Sequence, residues 1–133
     1  MNKIKKTEAE WQSELDELEY KVLRQAGTER PFTGKYYEHS EKGSYKCRAC
    51  GHFLFSSEHK FHSGCGWPSF WGELETADIV QRLDRSHGMT RIELLCPSCE
   101  SHLGHIFNDG PKPKGLRYCI NSVCLQFEAD SKD

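Results

Sequence analysis

The 133-residue sequence predicts a mainly β domain with a short amino-terminal helical region and a four-cysteine zinc site that joins two hairpins. Three observations carry the prediction. The stretch GLRYCINSVCLQF (115–127), rich in β-branched and aromatic residues, follows the turn-rich run DGPKPKG and reads as a strand. Helical periodicity is confined to the first 27 residues. Two Cys-x-x-Cys pairs, Cys47/Cys50 and Cys96/Cys99, lie far apart in the chain. The length suits one hydrophobic core, so residues 1–27 are expected to brace a single β domain over 28–133.

The elements follow in chain order. Thr7 and Glu10 fit a capping box, after which Trp11, Leu15, Leu18 and Val22 recur at helical spacing until Gly27. Residues 28–43, with Pro31 and Gly34, read as a loop. The pairs in YKCRACG and LLCPSCE each place two sulfurs on a tight turn, and four thiolates make the closed tetrahedral set of a structural zinc ion. Independent redox dithiols would need a βαβ context, which is missing. Residues 76–93 suggest two strands joined by a turn near His87–Gly88. In SHLGHIFNDG, His102 and His105 can converge if a turn falls at Gly104, and imidazoles supply hydrogen-bond donors or a proton near neutral pH. No nearby carboxylate completes a histidine cluster, and the other five histidines read as surface residues.

Three cysteines remain. Strand alternation puts Arg117, Cys119 and Asn121 on one face, so a fixed cation flanks a thiol and favours its thiolate. Cys65, between Gly64 and Gly66, has the backbone freedom a resolving thiol would use, although a buried cysteine in a tight turn is the alternative. Cys124 falls on the opposite face from Cys119 and reads as core. Trp67, before Pro68, offers an aromatic face to a methyl or thioether group.

Composition narrows the function. Net charge is −2 with no basic run, which argues against nucleic acid as a partner. Neither a signal-like apolar run nor a membrane-length segment is found, so a cytoplasmic location is expected, where cysteines serve metals or catalysis rather than disulfide frameworks. A hydrophobic fraction of 36% and a mean hydropathy of −0.75 make stabilisation by a metal unsurprising. A reactive thiol, a second thiol, paired histidines and an aromatic platform point to a thiol redox enzyme, with peroxide, disulfide or sulfoxide left open as substrate. A zinc-organised binding module for protein or nucleic acid is the rival reading. It would have no use for Cys119, Cys65 or the histidines.

GCGWPSF (64–70), SHGMTRIE (86–93), HLGHIFNDGP (102–111) and RYCINS (117–122), together with the Cys-x-x-Cys pairs, resemble the methionine-R-sulfoxide reductase B family over residues 28–128. The resemblance implies two antiparallel sheets, a structural zinc ion distant from the reaction centre, and reduction of methionine-R-sulfoxide, free or in proteins, with thioredoxin as reductant. Carried over by position, Cys119 is the nucleophile that becomes a sulfenic acid and Cys65 the resolving cysteine that closes a disulfide with it. Trp67 would hold the methyl group, and His102, His105 and Asn121 would bind or protonate the sulfoxide oxygen, with Arg117 beside the thiol.

Overall fold

A computed structural model describes residues 3–130. The capping box at Thr7 opens α1 (Glu8–Glu14), but the helical region is two helices. Asp16 and Glu19 form a second capping box that starts α2 (Glu17–Gln25), which leaves Leu18 exposed while Trp11, Leu15, Val22 and Leu23 are buried. The left-handed residue that ends α2 is Ala26, one before the glycine.

Among the described residues nine strands follow: β1 (Gly43–Cys47), β2 (Phe53–Ser56), β3 (Lys60–Phe61), β4 (Ser69–Phe70), β5 (Val80–Asp84), β6 (Arg91–Leu95), β7 (His102–Phe107), β8 (Arg117–Ile120) and β9 (Leu125–Ala129). They form two antiparallel sheets, β2-β1-β9 and β3-β4-β8-β7-β6-β5. The expected continuous strand over 115–127 is in fact two strands. A 3-10 turn at Ser122–Cys124 carries the chain from β8 in the larger sheet to β9 in the smaller one. Cys124 is fully buried as expected, but in this turn rather than through strand alternation.

Aromatic side chains weld the sheets together. Phe55 of β2 stacks on Phe70 of β4 at 4.2 Å, and Tyr45 of β1 meets Phe70 edge-on at 5.2 Å. Such pairs are worth about 0.5–1.5 kcal/mol each beyond the area they bury. The helical region docks against both Cys-x-x-Cys turns: Arg24 donates to the Cys99 carbonyl at 2.7 Å, and Arg48 pairs with Glu19 at 2.8 Å. No helix among the described residues is long and apolar enough to cross a membrane.

Candidate active site

Cys119 lies in the middle of the larger sheet, with Ser69 of β4 opposite it on one side and His105 of β7 on the other. Its Sγ is 3.6 Å from that of Cys65. Cys65 reaches this place on a turn whose flanking glycines, Gly64 and Gly66, have φ of 81° and 99°. Gly66 is also packed so closely that a Cβ there would lie 2.7 Å from Pro31. Both glycines therefore serve to fix the turn, and the expected travel of Cys65 is unnecessary because its sulfur already faces Cys119. A cavity of about 200 Å³ opens over the pair, lined by Trp67, His105, Arg117 and Asn121 among others. A larger cavity of about 480 Å³ around Glu29 and Arg48 has no cysteine or histidine in its lining.

The two sulfurs share a proton, so they titrate as a pair. The hydrogen bond from Cys119 is the main influence lowering Cys65 to about 4, helped by the Ser63 and Ser69 hydroxyls. The same bond and then burial raise Cys119, while the Arg117 guanidinium pulls it down. Cys65 Sγ also lies 3.4 Å from the Trp67 carbonyl, a second acceptor for the thiol proton. Arg117 is itself bound to Asp109 at 2.9 and 3.2 Å, so its charge is partly spent before it reaches the thiol.

The histidines converge by a different device from the expected turn. Leu94 pairs with Gly104 but Leu95 pairs with His102, so one extra residue, Leu103, is inserted in β7. This bulge puts side chains three positions apart on one face, and the rings lie 5.5 Å apart. Both have carboxylate partners, contrary to expectation: Glu93 is 2.7 Å from His102 Nδ1, and Asp84 is 2.8 Å from His105 Nε2. Burial outweighs Glu93 and lowers the His102 pKa. His102 Nε2 is buried without a hydrogen-bond partner, and only His105 lines the cavity.

The sulfurs of Cys47, Cys50, Cys96 and Cys99 all lie within 4.8 Å of one another and could hold a metal ion. Cys47–Cys99 and Cys50–Cys96 are each 3.6 Å apart. Tetrahedral zinc with sulfur at about 2.3 Å requires sulfurs about 3.8 Å apart, so the quartet fits that ion. Each turn is closed by a backbone bond of 2.8 Å, from Gly51 to Cys47 and from Glu100 to Cys96.

The SelR domain family model matches residues 15–129. The full chain is 51% identical to the peptide methionine sulfoxide reductase MsrB of Hahella chejuensis and 53% identical to that of Acinetobacter baylyi, covering 96% of each. The Acinetobacter baumannii MsrB is 52% identical over the same span. The chain belongs to the MsrB family.

Within this MsrB-family fold, the carried-over residues separate by position. Cys65, Trp67, His105, Arg117, Cys119 and Asn121 meet at the cavity, whereas His102 stands behind it on Glu93. Asn121 is largely committed to the backbone: its Oδ1 accepts from Glu29 N at 3.0 Å, and its Nδ2 donates to the Leu103 carbonyl at 3.0 Å. Trp67 Nε1 donates to the Glu29 carbonyl at 3.0 Å, which sets the indole plane. Glu29 and Asp84 lie outside every motif, and Glu93 closes SHGMTRIE without a role having been read for it. Of the histidines read as surface residues, His62 and His87 are exposed, but His39 bonds Tyr45 at 2.9 Å and packs on Phe127, while His59 packs on Trp71.

Proposed function

We propose that this chain reduces the R epimer of methionine sulfoxide, free or in proteins, with Cys119 as nucleophile and Cys65 as resolving cysteine. The observation that carries the reading is the approach of these two sulfurs to 3.6 Å beneath a cavity walled by an indole and an imidazole. The Trp67 face suits the substrate methyl. Sulfoxide oxygen leaves poorly until it is protonated, so His105 serves as the acid as the Cys119 thiolate attacks sulfur. Thiolate, sulfoxide and one proton give methionine and a sulfenic acid on Cys119: methionine sulfur gains two electrons and Cys119 sulfur loses two. The Cys65 thiol then displaces hydroxide, which leaves as water with the thiol proton, and a disulfide closes. Thioredoxin, or a small dithiol, takes up that disulfide and restores both thiols.

Zinc is the metal that the four-thiolate set suits best, in a structural role with no open coordination position. Cys47 and Cys50 would hold it from the β1 hairpin and Cys96 and Cys99 from the β6–β7 hairpin. The decisive assay incubates the reduced protein with dithiothreitol and each sulfoxide epimer separately. Methionine is expected from the R epimer alone, and the absence of methionine from both would sink the proposal.

A further inference from the structure

A charged lattice runs behind the cavity wall. Asp84 on β5 faces Arg91 on β6, and Arg82 on β5 faces Glu93 on β6. Asp84 Oδ2 is 2.8 Å from His105 Nε2 and 3.6 Å from Arg91, while its Oδ1 accepts from the Ser86 backbone at 2.9 Å. The carboxylate is thus gripped from three sides, and two of its partners, His105 and Arg91, line the cavity.

A carboxylate can only accept, so His105 Nε2 must carry hydrogen. Nδ1 is then the ring nitrogen left for a ligand. In the neutral ring of that tautomer Nδ1 is bare and cannot donate; only the imidazolium has a proton there. The charged and titratable groups around His105 are Asp84 from β5, Glu93 and Arg91 from β6, His102 on its own strand, and Cys119 and Arg117 from β8, with Cys65 beyond. Glu93 already bonds His102 and Arg82, which leaves Asp84 as the carboxylate in direct contact with the His105 ring.

We infer that Asp84 is a positioning residue: it fixes the His105 ring with Nε2–H on the carboxylate, so that in the imidazolium form Nδ1 can pass a proton to the sulfoxide oxygen while Cys119 attacks sulfur. The inference rests on the reductase reading above. Asp84 is itself kept ionised by the Ser86 hydroxyl and by His105. Replacement by asparagine puts an amide against Nε2, which removes the charge and permits the opposite tautomer, in which Nδ1 carries a proton that it releases far less readily.

The test is dithiothreitol-driven turnover of methionine-R-sulfoxide by the full chain. Asp84→Asn is expected to lower kcat roughly 10- to 100-fold with KM unchanged. Asp84→Glu is expected to restore most of kcat. Wild-type kcat in Asp84→Asn, or a rise in KM with kcat unchanged, overturns the inference. Nitrogen-15 NMR of the wild-type imidazoles needs no variant: His105 is expected to be Nε2-protonated when neutral, and an Nδ1-protonated ring overturns the inference even if Asp84→Asn does not fold. Failure of the reductase reading would show separately, as a wild-type enzyme that makes no methionine from the R epimer.

Discussion

Three pairs of sulfurs in this protein stand 3.6 Å apart, two in the four-cysteine cluster and one at the cavity, yet their settings differ in every other respect. Each cluster pair joins one tight turn to the other, with the turns closed by their own backbone bonds and braced by the helical region, so no sulfur can leave without breaking secondary structure. The cavity pair joins the middle of a strand to a loop, meets serine hydroxyls and an arginine, and has one open side. Sulfur proximity alone therefore assigns no role. What distinguishes a clamp from a working pair is how many sulfurs converge and whether a substrate can reach them.

The largest effect expected on the working side is that of Cys119→Ser, which should abolish methionine formation with any reductant while metal content and melting temperature stay as in wild type. Unchanged turnover would erase the contrast. On the clamp side, Cys96→Ser should lose the metal and with it the fold, measured by metal analysis and circular dichroism. Binding energies of about 10–16 kcal/mol at structural zinc sites match or exceed the roughly 5–15 kcal/mol that holds a domain folded. A folded, metal-free variant would contradict the clamp.

Cys65→Ser should keep dithiothreitol-driven turnover and lose the thioredoxin-driven cycle; equal activity with both would move the resolving role elsewhere. Alkylation by iodoacetamide sharpens the comparison further. The charged form of an acid lowered to about 4 persists above that pH, so labelling of the cavity pair should continue at pH 5–6 and fade only as pH drops through 4. Fading from pH 8 downward would mean two ordinary thiols. The smallest effect lies in the second metal turn. Glu100 takes the left-handed position, φ 63°, where the first turn has Gly51 at 83°. Glu100→Gly should relieve about 1 kcal/mol of backbone strain and raise the melting temperature by roughly 2–5 °C, read by thermal denaturation.

Local signals were enough to anticipate which cysteines lie together, the quartet in one cluster and Cys65 beside Cys119, because Cys-x-x-Cys spacing and a glycine-flanked thiol are encoded within a few residues. They also sufficed for the capping box at Thr7, the β5–β6 hairpin and the facing of Arg117 and Cys119. What escaped depends on partners distant in the chain. The bulge at Leu103 exists only as a mismatch against Leu94 and Leu95, so His102 and His105 alone cannot reveal why they share a face. Asp84 lies 21 positions from His105, and only the pairing of β5 with β6 and β6 with β7 brings them together. The strand drawn through Phe127 was too long for a similar reason: Ser122 and Cys124 are compatible with extended backbone, and only the second sheet shows where the chain must turn.

Glu29 works as a keystone. Its amide supports Asn121, its carbonyl fixes the Trp67 indole, and its buried carboxyl receives the Val123 amide, so one residue ahead of the first strand ties together two walls of the cavity and the crossing between the sheets. Shortening the chain past this point would dismantle the cavity from outside while every cysteine remained in the polypeptide. The shape of the cavity in this architecture depends as much on a segment without cysteine as on the thiols beneath it.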